Sequence, residues 1–129
     1  MTETRIYVGL NDSVSKKQIF ETEKYIRIMK EVCFAYHTPF SFYVTEGGYI
    51  HENGEYTQEI SLVLTLIDAD PGIIQEIARD LCAFFHQESV LITEGDVRAY
   101  YLKDPLKDDG YDSRKGAAPG NVERGALGN

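Results

Sequence analysis

Two features of this chain carry residue types suited to chemistry: one short stretch and a scarce side chain. The stretch FFHQESVLIT brings a ring, an amide and a hydroxyl together at Phe85, Gln87 and Thr93. These are parts that stack on a nucleobase and hydrogen-bond its edge. The same residues also read as a helix-to-strand corner packed by Phe85. The scarce side chain is arginine, and Arg27, Arg98, Arg114 and Arg124 are the four placed to clamp phosphate through paired N–H donors. Arg27 stands between Glu23 and Glu31 at the spacing of ordinary helix ion pairs. Arg98 lies two residues from Tyr100, where a guanidinium beside a ring suits a base and a phosphate, or a cross-strand glutamate. Arg114 and Arg124 fall in a glycine-rich tail that reads as a lid over a ligand or as a plain disordered segment.

Motifs for catalysis and metal binding are absent. His37, His51 and His86 fall at two helix ends and beside a turn, without the paired spacing that holds zinc. The chain has no nucleophile elbow, phosphate loop or dinucleotide fingerprint. Glu46 and Glu59 would face each other across a hairpin as an acid and a base, but among 21 acidic residues such pairs arise freely. The expectation is a protein that binds rather than catalyses, with no metal and no cofactor.

The elements that must position these residues follow from periodicity. Arg5 to Asn11 alternates as a half-buried strand. Ser15 and Gln18 resemble a capping box, and apolar residues at helical steps predict a helix from about Lys16 to Tyr36, stopped near Pro39. From Phe40 the pattern is extended, Gly47-Gly48 suggests a bulge, and Asn53-Gly54 predicts a hairpin turn. The next strand alternates Ile60, Leu62, Leu64 and Leu66 with polar residues and valine. Asp70-Pro71 starts a second helix that runs to about Phe85, and a bulged strand or hairpin then ends near Leu102.

The order β-α-β-β-α-β predicts an α+β fold, the ferredoxin-like split βαβ plait, with a four-stranded antiparallel sheet and both helices on one face. Residues 1–102 form the ligand-binding domain and 103–129 a Gly/Pro-rich tail. Tyr7, Tyr43, Thr45, Ser61, Val63 and Thr65 are left on the open face, which another copy of the chain or a protein partner would cover.

Composition narrows the ligand. The net charge is −8, and all of it belongs to residues 1–102, because the tail is neutral. An acidic body repels long nucleic acid, whereas a small anion in a local arginine pocket remains open. The start MTETRIYVGL has no signal-peptide pattern and no run is long enough to span a membrane. With Cys33 and Cys82 inside apolar helix patterns, a cytoplasmic protein with reduced thiols is expected.

The segments RIYVGLND, GGYIHENGEYTQE and FFHQESVLITEGDVRAYYL resemble small phage proteins, in particular the anti-Thoeris sponge proteins. The stretch around QESVL also resembles a family of uncharacterised bacterial domains. The sponge resemblance implies binding, without cleavage, of a cyclic ADP-ribose isomer and, in some members, of cyclic oligonucleotides. It would suppress the host's antiphage defence from the host cytoplasm. It implies a homo-oligomer, dimer or hexamer, with pockets between subunits. Phe85 would then stack on a base, Gln87 and Thr93 hydrogen-bond it, Arg27 and Arg98 hold phosphate, and Arg114 and Arg124 close a lid. Two other readings stand beside it: a protein-binding inhibitor or assembly module using the open tyrosine-rich face, and a small enzyme using carboxylates such as Glu46 and Glu59.

Overall fold

The computed structural model describes residues 1–108. It divides into a unit Met1–Arg98 and a second unit that begins at Ala99. The first is built from β1 (Thr2–Gly9), α1 (Thr22–Ala35), β2 (Ser41–Ile50), β3 (Tyr56–Ile67), α2 (Pro71–Phe84) and β4 (Leu91–Asp96). In the second, Pro105–Asp108 forms a single turn, α3, where Asp104 Oδ1 accepts the Leu106 N–H at 2.9 Å. Arg114 and Arg124 lie outside the described residues.

The sheet order is β2-β3-β1-β4 with every neighbouring pair antiparallel, which is the ferredoxin-like plait. Alternation along the strands decides its two faces. Ile6, Val8, Leu62, Leu64 and Leu66 pack against Met29 and Cys33 of α1 and against Ile74, Ile77 and Leu81 of α2, all of them nearly inaccessible. Burying each such side chain contributes roughly 1.5–3 kcal/mol, so this one layer dominates the stability of the unit. On the other face Val63 is also 0% exposed, walled by its register partners Tyr7 and Tyr43.

Both helices end the same way. The C-cap of α1 is Tyr36 and that of α2 is Phe85, and the next residues, His37 and His86, take positive φ of 54° and 53°. After α2, the His86 N–H donates to the Ala83 carbonyl at 3.2 Å and the Gln87 N–H to the Cys82 carbonyl at 2.9 Å. This is the Schellman pattern, with histidine where glycine is usual. It sets the direction in which Gln87 leaves the helix.

Three local expectations are corrected. Helix α1 begins at Thr22, not near Lys16, and its N-cap Glu21 makes no side-chain cap. Asp12 is the reason: its Oδ2 accepts the Val14 and Ser15 N–H groups at 2.9 Å each, turning the chain before a helix can start. Gly47-Gly48 forms no bulge, because Glu46, Gly47 and Gly48 pair in unbroken register with Ile60, Glu59 and Gln58. The last strand stops at Asp96, well short of Leu102. The second helix forms as expected, with Asp70 Oδ2 accepting the Gly72 and Ile73 N–H groups at 2.9 and 3.2 Å. Among the described residues no helix is long and apolar enough to cross a membrane.

Candidate functional site

A cleft of about 250 Å³ opens where three connections meet: the loop leaving β1, the β2–β3 hairpin and the loop leaving α2. The first supplies Asn11, Asp12, Ser13 and Lys16, the second Tyr49 and Glu59, and the third Gln87, Glu88 and Ser89. Apart from Ser13 and Lys16, every lining residue comes from the three segments that resemble phage proteins.

The Asn11 peptide is the joint between the walls. Its N–H donates to Glu59 Oε2 at 3.0 Å, and its carbonyl accepts from Gln87 Nε2 at 2.7 Å. Gln87 Nε2 also donates to the Phe85 carbonyl at 3.2 Å, so the amide is used as a brace. Gly9 lies beneath Glu59: a Cβ there would lie 2.6 Å from Glu59 Cδ and 2.9 Å from Glu59 Oε1. The absence of a side chain is what lets the carboxylate lie flat on β1.

Asp12 is held below the usual carboxylate range, first by the Ser15 and Val14 N–H groups and then by His86. His86 Nδ1 lies 3.2 Å from Asp12 Oδ1, and the His86 carbonyl accepts the Ser13 N–H at 3.0 Å. Tyr49 packs edge-on against His51 at 4.8 Å, and His51 Nε2 lies 2.7 Å from Thr57 Oγ1, which braces the ring at the cleft. The lining thus holds three carboxylates, Asp12, Glu59 and Glu88, against one lysine. A larger groove of about 410 Å³ is lined mainly by apolar side chains, Ile28, Val32, Ala35 and Phe84, with Glu31 and with Asp80, which already accepts from the Tyr36 hydroxyl at 2.8 Å. Among the described residues no cluster of three or more His, Cys, Asp or Glu is placed to hold a metal ion.

Of the described residues singled out in the sequence, Gln87 of the ligand-binding set and Glu59 of the carboxylate pair line the cleft. Phe85 is 2% exposed and packs edge-on against Tyr25 at 5.0 Å, so its ring fills the core instead of presenting a face. Thr93 lies on β4 opposite Arg5, and Arg27 is exposed on α1. Arg98 follows β4 by two residues and is engaged in an interaction of its own. Glu46 and Glu59 do not face each other: Glu59 is opposite Gly47 and Glu46 opposite Ile60, so they point to opposite faces of the sheet. Glu46 instead accepts from Gln58 Nε2 at 2.7 Å.

No protein-family model matches the chain, and no curated protein matches its sequence. A phage SAM lyase in complex with S-methyl-5′-thioadenosine shares 25% identity at a TM-score of 0.58, covering 74% of this chain and 80% of its own. The chain is similar to a phage lyase. The same kind of enzyme without ligand matches at 22% identity and a TM-score of 0.58, over 79% of this chain and 92% of its own. The periplasmic divalent cation tolerance protein CutA of Archaeoglobus fulgidus matches at 13% identity and a TM-score of 0.49, over 77% of this chain and 87% of its own.

This likeness corrects the expectation of a chain without catalysis, since the matched phage protein is an enzyme. The physical reason is that an elimination or an intramolecular displacement can proceed without a protein nucleophile or a metal, so a site for such a step need carry none of the spaced motifs that sequence reading looks for. The resemblance to phage proteins that handle a nucleoside-type ligand holds at that coarser level.

Proposed function

We propose that this chain binds S-adenosylmethionine in the cleft and splits it at the sulfonium, releasing S-methyl-5′-thioadenosine. The observation that carries this reading is the charge of the lining: three carboxylates against one lysine suit a ligand that bears a sulfonium and an ammonium. The likeness to a phage SAM lyase supports the same ligand class. A cyclic ADP-ribose isomer, by contrast, brings two phosphates to a cleft already negative. Tyr49, braced by His51, is the ring available to an adenine, the part first assigned to Phe85.

The chemistry follows from the substrate. Breaking the bond between sulfur and the γ-carbon sends its electron pair to sulfur, leaving a neutral thioether. The four-carbon fragment is completed without water, either by attack of the substrate's own carboxylate on that carbon, giving a lactone, or by loss of a β-proton, giving an alkene. In the first case no protein base is needed. In the second, Glu59 or Glu88 would take the proton.

Charge attraction alone does not accelerate this step, because the sulfonium loses its charge on the way to the transition state. Rate must come from folding the substrate into a reactive geometry, for which effective molarities of about 10⁵ M or more are attainable. The clamp of Glu59 and Gln87 on the Asn11 peptide supplies a rigid wall for that purpose.

Consumption of the methyl donor would act against a host cell, in keeping with a phage-type protein. The same reading includes a homo-oligomer, dimer or hexamer, in which a second copy covers the open face carrying Tyr43 and Leu91, 46% and 59% exposed. Light scattering of the purified protein reads that assembly. Incubation with S-adenosylmethionine tests the activity: thioether should accumulate with the wild type, and intact substrate after long incubation sinks the reading.

A further inference from the structure

We infer that Gly9 is a positioning residue that makes the cleft read the charge at the ligand's sulfur position. The inference rests on the proposed ligand class and deepens it. Glu59 is seated from two sides. Its Oε2 accepts the Asn11 N–H at 3.0 Å, and its carboxylate occupies the space above Gly9 that any side chain would fill. Gly9 sits in ordinary register opposite Ser61, and its backbone is not in the left-handed region, so an alanine there fits the strand. Its methyl group would meet only the far end of a flexible glutamate. Gly9→Ala therefore displaces one carboxylate, and with it the hydrogen bond to the Asn11 N–H, while the strand keeps its register.

The consequence is selectivity between a cation and its neutral isostere. A carboxylate pinned at a fixed place in a partly enclosed cleft discriminates charge, whereas a carboxylate free to swing into water does so weakly. The same seat helps turnover, because the thioether product has lost the charge that held the substrate.

The probes are sinefungin, which carries an ammonium at the sulfur position and is not cleaved, and S-adenosylhomocysteine, which carries a neutral sulfur. Calorimetry on the wild type should give at least about tenfold preference for sinefungin, on the scale of one charge contact. Gly9→Ala should fall to about twofold or less, with sinefungin binding weakened much more than S-adenosylhomocysteine binding. In a Glu59→Gln background the preference should already be lost, and adding Gly9→Ala should change it no further, which a general structural defect would not reproduce. A full preference in folded Gly9→Ala overturns the inference and leaves the proposed function standing. Wild type that binds neither probe overturns both.

Discussion

Gln87 and Asn11, 76 residues apart in the chain, are joined by a 2.7 Å hydrogen bond from the glutamine amide to the asparagine carbonyl. That bond ties the loop after α2 to the loop after β1, and so sets the width of the cleft between them. The Schellman turn at His86 aims the glutamine, and Asp12 turns the other strand end toward it.

Loss of this brace should be felt in stability and in binding together. Gln87→Ala leaves the partly buried Asn11 carbonyl without its donor, at a cost of about 1–3 kcal/mol. For a unit of this size that lowers the melting temperature by roughly 4 °C or more, which calorimetric melting reads. Sinefungin affinity should fall in the same variant.

Phe85 answers differently. Because its ring fills the core against Tyr25, Phe85→Ala should cost about 3–5 kcal/mol by opening a cavity. Denaturant titration should show the loss with or without ligand. A variant that is fully stable but blind to ligand would return Phe85 to the stacking role.

Acid should loosen the loop after β1. The Asp12 carboxyl is depressed from its ordinary value of 3.8, first by the Ser15 and Val14 N–H groups. A depressed carboxyl adds stability that is fully present above its unfolded value and is lost as pH falls through the folded one. The wild-type melting temperature should therefore drop more steeply below pH 3.8 than that of Asp12→Asn. Parallel acid limbs for the two proteins would contradict this.

The Cys33 thiol is pushed up to about 11 by burial, so it stays protonated at neutral pH. Raised above its ordinary value of 9.0, it stabilises the fold below that pH and loses the contribution as pH climbs through the folded value. A maleimide label at neutral pH should modify native Cys33 only as fast as the protein unfolds. Rapid native labelling at that position would contradict the packing.

The fold was legible because its signals are local. The alternation of Leu62, Leu64 and Leu66, the Asp70-Pro71 helix start and the Asn53-Gly54 turn each act over a few residues, and together they dictate the β-α-β-β-α-β order. The site was not, because its parts act at a distance. Glu59 matters through a glycine and a peptide N–H some 48 residues away, whereas the sequence points to it only as a partner for Glu46, which the register places on the other face. Phe84 and Phe85 are neighbours in an apolar run, yet they are 59% and 2% exposed, so one helical position separates a surface ring from a core ring. Asp12 defeated the capping box at Ser15 by taking that residue's N–H itself.

The acidic lining leads to one further expectation. Glu59→Gln and Glu88→Gln remove charge with little change of shape, and each should weaken sinefungin binding by about tenfold, roughly 1.4 kcal/mol. Melting temperature should stay near that of the wild type for Glu88→Gln, whose side chain is exposed.

The most direct measurement follows S-adenosylmethionine by chromatography and mass spectrometry after incubation with the wild type in ¹⁸O-labelled water, beside Glu59→Gln. S-methyl-5′-thioadenosine should accumulate with the wild type and, at substrate below saturation, about tenfold more slowly with the variant, in step with its weaker binding. The four-carbon fragment should gain no labelled oxygen at its γ-carbon. Substrate recovered intact would contradict the account, and a label at that carbon would replace a lyase with a hydrolase.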